Sequence, residues 1–306
     1  MLKSITVINH RDEQLFLELS NPYDTGLIIK DITGIGPVKA NINTTELAIS
    51  DGSIFNSARA TSRNIVFSFQ LVEDKETNLV ETVRQRTYKY FPLKKMLTLI
   101  FETDNRIAAI QGYVESNEPD IFQKDETIQV SIVCPSPYFY TPDSTIVLNG
   151  VESMFMFPFS NESLEEDLIC MGNIVSSISM EYVYDGDVES GVIFYLHCMD
   201  HVEDVTVYNM LTRERMQLDT SVVRAITGSD QDGFIAGDDI YLSTISGDRY
   251  VTLVRGGKEY NILPCIPKIT DWITVQKGSN VFGYHAAIGK SNMSIEVHTN
   301  VLYEGV

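Results

Sequence analysis

The run GDDIYLSTISGDRYVTLVRGGKEYNILPCI, Gly237 to Ile266, decides the fold, together with DWITVQKGSNVFGYHAAIGKSNMSIEVHTNVLYEGV, Asp271 to Val306. In the closing run Met293, Ile295, Val297, Val301 and Tyr303 share one parity, and Ser294, Glu296, His298 and Asn300 share the other. Alternation with period two over ten residues describes a strand with one face on a core and one face in water. Gly247-Asp248 and Gly256-Gly257 separate such runs, where hairpin turns require positive φ. This half of the chain reads as an antiparallel β-sandwich or jelly roll, a scaffold that binds or assembles more often than it catalyses.

Working toward the N-terminus, short strands continue at sandwich spacing in ISMEYVY (Ile178–Tyr184), GVIFYLHC (Gly191–Cys198) and VEDVTVYN (Val202–Asn209). CPSPYFYTP, Cys134 to Pro142, holds three prolines in nine residues and reads as a semi-rigid connector between domains. Before it, apolar runs at 4–8 and 15–19 flank the polar NHRDEQ as an opening hairpin. A strand from Leu27 ends in a Gly/Pro loop near Val38. Asn41 to Arg63 is polar, with a turn signal at Asp51-Gly52, and reads as a long loop or β-arm. In RNIVFSFQLV the residues Ile65, Phe67, Phe69 and Leu71 share one face of a strand. Thr77 to Phe91 is the one amphipathic helix, with Asn78 and Glu81 as a capping pair, Leu79, Val83 and Tyr90 at helical spacing, and Pro92 as its stop. Three further strands follow, at Met96–Phe101, Arg106–Val114 and Thr127–Cys134.

The chain has 306 residues, long enough for two domains. Hydrophobic residues make up 43%, ample for packed cores. No stretch approaches eighteen consecutive apolar residues, and the charged N-terminal segment carries no secretory pattern, so neither membrane insertion nor export is expected. Net charge is -19, and the excess is concentrated past Tyr140, where 24 acidic residues face 9 basic ones against 18 and 14 before it. Such a field disfavours nucleic acid and anionic membranes, and its plainest reading is a solvated outer face. Cys134, Cys170, Cys198 and Cys265 are widely spaced beside apolar runs and read as buried reduced thiols.

GYHAAIGKS (Gly283–Ser291) places five residues between its glycines where a phosphate loop needs four, and a strand follows, so Lys290 reads as part of a surface loop. His197 and His201 have a spacing that converges on a metal only in a helix, whereas the preceding residues are strand-like. SDQDG (Ser229–Gly233) and YDGDVES (Tyr184–Ser190) lack the EF-hand pattern and read as turns, with a structural calcium as the alternative. The acidic pairs Glu165-Glu166 and Asp238-Asp239 are unremarkable among 42 acidic residues. Trp272 is the sole tryptophan, and its neighbours leave both core burial and a sugar-stacking role open. The expectation is therefore no catalytic residue, no cofactor and no metal site, and no interface residue is assignable.

The chain resembles the distal tail proteins of tailed phages, baseplate-hub components. The likeness is carried by GLIIKDITGIGPVKANINTTELAISDGSIFNSARATSRNIVFSFQL (Gly26–Leu71), the helix from Thr77, and the block ending SPYFYTP. In the second half it is carried by AGDDIYLSTISGDRYVTL, Asp271-Trp272, Gly278-Ser279-Asn280 and the closing Tyr303-Glu304-Gly305-Val306. The resemblance implies a mainly β chain: an N-terminal β-sandwich-like belt domain with one α-helix over 1–140, and a galectin-like jelly-roll β-sandwich over 141–306. It implies a non-enzymatic virion protein of the tail baseplate, assembled in the host cytoplasm. The belt domain would close into a homohexameric ring, partnered by tail tube protein, tail tip or hub protein, and receptor-binding or other baseplate proteins. On this reading the arm from Asn41 to Arg63 reaches a neighbouring subunit or tail ring. Two other classes stay open. One is a carbohydrate-binding module contacting host cell-surface glycan through Trp272, and the other is a hydrolase of cell-wall glycan.

Overall fold

A computed structural model describes residues 1–48, 51–73, 79–122, 124–147, 149–153, 172–176 and 179–306. The chain forms two compact units. One comprises Met1–Pro142 with Leu302–Val306, and the other Asp143–Val301. Asn78, Cys170 and Glu165-Glu166 lie outside the described residues.

The first unit opens with the hairpin β1 (Leu2–Ile8) and β2 (Gln14–Glu18), turning through Asp12 at positive φ. β3 (Leu27–Thr33), β4 (Ala40–Glu46), β5 (Ser53–Ala60) and β6 (Arg63–Leu71) follow. After helix α1 (Val80–Tyr90) come β7 (Met96–Thr103), β8 (Ile107–Asp120), β9 (Thr127–Cys134) and the first residues of β10 (Phe139–Val147). All pairings are antiparallel, in the order β2-β1-β7-β8-β9-β6-β3. β8 is where the sheet folds on itself. Its first half pairs with β7 and its second with β9, across a register shift between Val114 and Ser116. An extra residue there bends the strand and sharpens its twist.

The alternation in β6 is what fills this core. Ile65, Phe67, Phe69 and Leu71 are all buried, and the Phe67 ring stacks on Phe69 and Phe101 at 5.5 and 6.4 Å. α1 begins one residue after Leu79, which makes no side-chain cap, and ends at Phe91, whose ring packs on Phe67 and Phe69. Val83 and Thr87 are its buried positions, whereas Leu79 is exposed.

Two expectations need correction. CPSPYFYTP is more than a semi-rigid connector between domains: Phe139 begins β10, is fully buried, and meets Phe101 edge-on at 5.6 Å. An aromatic between prolines still packs when the core offers it a slot. The final five residues belong to the first unit rather than to a domain spanning 141–306. Tyr303 and Val306 pack on the first core, and the Val306 amide donates to the Ile35 carbonyl at 3.1 Å.

In the second unit β11 (Asn149–Ser153) pairs with β12 (Gly172–Ser176). A four-stranded sheet is built from β13 (Ser179–Tyr184), β16 (Val205–Asn209), β17 (Glu214–Leu218) and β22 (Gly278–His285), in the order β13-β22-β16-β17. A second layer runs β23-β15-β18-β19-β20, from β15 (Ile193–Cys198), β18 (Asp239–Ser243), β19 (Tyr250–Arg255), β20 (Lys258–Asn261) and β23 (Met293–Tyr303). Two short strands, β14 (Ser190–Gly191) and β21 (Thr274–Val275), pair at the side. Inward residues of both layers meet in one core, with Phe194 edge-on to Phe282 at 6.0 Å. In β23 Met293, Ile295 and Val297 are fully buried, as the alternation requires. Gly256 and Gly257 both have positive φ, the geometry of a two-residue hairpin turn. A short helix α2 (Val223–Thr227), too short to leave a helical periodicity in the sequence, is closed by Gly228 in the left-handed region.

Candidate functional site

The most distinctive surface of the first unit is the arm. Among the described residues β4 and β5 pair only with each other, and every residue of both strands is exposed except Ala60, which is half-buried. Ile42, Ile54 and Phe55 are each more than half exposed. A two-stranded ribbon with no face on a core has little to hold it in isolation. The apolar side chains along it are therefore surface that gains free energy only against another body.

The root of this arm is built around Arg63, the first residue of β6, which is 2% exposed. Its Nε donates to the Pro137 carbonyl at 2.7 Å, and Nη1 donates to the carbonyls of Gly34 and Gly36 at 2.5 and 2.6 Å. Nη2 donates to the Glu304 carbonyl at 2.6 Å, and the guanidinium lies 4.4 Å from the centroid of Phe139. A planar fork of donors suits four carbonyls converging from separate segments, where a lysine offers only a point charge. Burial pushes the pKa of this guanidinium down from its ordinary value. Gly34 sits at φ +84, and a Cβ there would lie 2.0 Å from the Asn64 carbonyl oxygen, so the close approach needs glycine. Beside this clamp a cavity of about 200 Å³ is lined by Val38, Ala58, Arg59, Tyr138 and Glu304. A second cleft of about 600 Å³, lined by Met1, Phe16, Glu18 and Leu19 among others, opens at the β1–β2 edge.

The residues singled out in sequence fall into ordinary places. His197 Nδ1 lies 2.6 Å from Asp239 Oδ1, while His201 Nε2 lies 2.9 Å from Glu203 Oε1, so the two rings face different carboxylates. Among the described residues no group of three or more His, Cys, Asp or Glu side chains is placed to hold a metal ion. Lys290 starts a short 3₁₀ turn, with Nζ 5.8 Å from the Tyr284 ring centroid. In YDGDVES the buried Tyr184 closes over Gly186 and donates to the Val188 carbonyl at 2.6 Å. In SDQDG the Ser229 hydroxyl accepts from the Gln231 amide.

Asp238 and Asp239 are adjacent but unrelated. Asp238 is buried and takes both Nε and Nη2 of Arg255, at 2.8 and 2.6 Å, whereas Asp239 faces His197 and Tyr195. Trp272 is half-buried against the second core, with the Arg249 guanidinium 4.6 Å from its ring centroid. The ring face a sugar would need is thus taken by a cation. Cys134, Cys198 and Cys265 are buried free thiols, and burial pushes Cys134 and Cys265 up to about 11 and Cys198 up to about 12. No helix among the described residues is long and apolar enough to cross a membrane.

Sequence reasoning missed Arg63. A charged residue at the head of an apolar strand is the only local signal it leaves.

The architecture has a counterpart among solved structures. The SPP1 Dit protein (gp 19.1), described as a paradigm of the hub adsorption apparatus in phages infecting Gram-positive bacteria, superimposes with a TM-score of 0.61 at 11% identity. The match covers 97% of this chain and 99% of that one. The chain thus has the fold of a phage distal tail protein along nearly its whole length. A chain of the phage P2 baseplate in its activated conformation with Ca matches at TM-score 0.46 and 10% identity, covering 97% of this chain and 98% of that one. The corresponding structure with Sr gives 0.45 and 10%, with 97% of each chain covered. No family model and no curated protein matches the sequence.

Proposed function

We propose that this chain is a non-enzymatic structural protein of a phage tail or phage-derived particle, located at the baseplate. Its subunits form a homohexameric hub ring that joins the tail tube to the tail tip and docks receptor-binding or other baseplate proteins. The observation that carries this reading is the shared fold, which extends over 97% of this chain and 99% of SPP1 Dit rather than over one domain. The first unit is the ring-forming belt, and the second is a galectin-like sandwich turned toward baseplate partners. A closed ring needs a head-to-tail interface with two different complementary faces. The arm from Ala40 to Ala60 and the cleft beside Phe16 and Leu19 are two such apolar faces on the belt.

Light scattering with negative-stain imaging tests it. A particle near six times 34.4 kDa with a central channel is the expected result. A chain that stays monomeric at high concentration, alone and with its tail neighbours, would overturn it.

A further inference from the structure

The outer face of the second unit's larger sheet carries side chains that a merely solvated face does not need. Register places Glu296, Tyr195, Tyr241 and Thr252 directly opposite one another across β23, β15, β18 and β19. In the adjoining row His197 sits opposite Asp239. The Tyr195 and Tyr241 rings lie with centroids 5.0 Å apart, inclined at 36°, and Tyr241 is 37% exposed. Tyr195 Oη donates to Asp239 Oδ1 at 2.8 Å, and the His197 ring nitrogen meets the same oxygen at 2.6 Å. Two partners on one oxygen fix this carboxylate in place. Its Oδ2 has no hydrogen-bond partner among the described residues, and neither has the Tyr241 hydroxyl.

We infer that this face is a binding site for a neutral saccharide. The apolar C–H face of a pyranose packs on exposed aromatic rings, while ring hydroxyls need fixed acceptors at the rim. Here the paired tyrosines are the platform, and Asp239 and Glu296 stand beside it as acceptors. Neither row carries a lysine or arginine, and the nitrogens beside the two carboxylates are those of His197 at Asp239 and His298 at Glu296, so a phosphorylated or uronic polymer would meet carboxylates with no guanidinium or ammonium group to hold it. The ligand class is therefore uncharged and rich in hydroxyls. This inference is independent of the hub reading and moves any sugar site away from Trp272.

The test uses the full-length chain on a printed array of neutral and acidic glycans, with the strongest neutral binder then titrated calorimetrically as a soluble oligosaccharide. Tyr241→Ala and Asp239→Asn are expected to weaken binding roughly tenfold or more, since each removes a contact worth at least a neutral hydrogen bond or a ring face. Trp272→Phe is expected to leave affinity unchanged. Circular dichroism of each variant separates loss of the site from loss of the fold. Three results overturn the inference: no neutral glycan bound at millimolar concentration, binding of acidic glycans alone, or neutral binding that survives both folded variants.

Discussion

Arg63 and Glu304 are 241 positions apart in the chain, yet Arg63 Nη2 donates to the Glu304 carbonyl at 2.6 Å. That bond holds the last residues on the first unit, and the same guanidinium gathers Gly34, Gly36 and Pro137. Arg106, 4.2 Å from the Tyr303 ring centroid, secures the neighbouring turn of the tail. Leu302–Val306 are thus a structural part of the unit formed by Met1–Pro142.

Replacing Arg63 with Ala strands four carbonyls around a buried void. The loss of charge-assisted bonds and packing is expected to cost about 3–5 kcal/mol of the first unit's stability. Lysine should rescue only a minor part of it, because it cannot supply the fork. Urea unfolding measures the cost, and hydrogen exchange should show faster exchange of the Val306 amide. A variant that unfolds like the parent would remove the clamp from the account.

Deleting the arm from Asn41 to Arg59 and closing the gap with a short glycine-serine loop should leave the monomer's melting temperature within a few degrees of the parent, since none of the arm's described residues belongs to either core. Ring assembly should be lost. Phe55→Asp is the gentler version, and it tests whether exposed apolar surface rather than arm length is responsible. Rings that form normally without the arm would refute the interface role.

Asp238 and Asp239 should behave oppositely on substitution by Ala. Asp238→Ala leaves Arg255 buried without its carboxylate, a loss expected to cost about 3–5 kcal/mol in the second unit. Asp239→Ala loses only half-exposed contacts, and is expected to cost about 1 kcal/mol. Thermal melts of the two variants side by side give the comparison. Equal effects would contradict the burial difference.

The thiols set an alkaline limit. Folding raises Cys134, Cys198 and Cys265 above the ordinary value of 9.0, to about 11 or 12, because burial disfavours the thiolate. For an acid whose pKa is raised in the folded state, the stabilisation is present below the unfolded pKa. It is lost as pH rises from about 9 through the folded value. Denaturant midpoints should therefore decline above pH 9, and Cys198→Ala should flatten the decline. At pH 8 a thiol reagent should leave these three unmodified until denaturant is added. Rapid labelling of the native protein at any of them would count against this.

Much of the β structure was legible because period-two alternation is a local property. Ile65 to Leu71, Met293 to Val297 and the Gly256-Gly257 turn declare themselves within ten residues, without knowledge of what they pack against. The helix was legible from Val83, Tyr90 and Pro92 for the same reason. Other elements left weaker traces. β10 was hidden by flanking prolines, and α2 by its length of five residues, although Gly228 was a usable end signal. The arm's strands were ambiguous because neither has a buried face, so alternation had nothing to record.

By itself the sequence determined the strands that have a buried face and no flanking proline, the turns between them, and that its motifs match no familiar catalytic pattern. Those features follow from backbone sterics and from the partition of side chains between water and core, both set by near neighbours along the chain. Tertiary structure alone decided that Arg63 is a clamp, that Glu304 closes it, and that Leu302–Val306 lie with Met1–Pro142. It also decided that Tyr195, Tyr241 and Asp239 share one open face while Trp272 is covered by Arg249. Each of these depends on strand register and burial between residues far apart in sequence, and no local pattern carries that information.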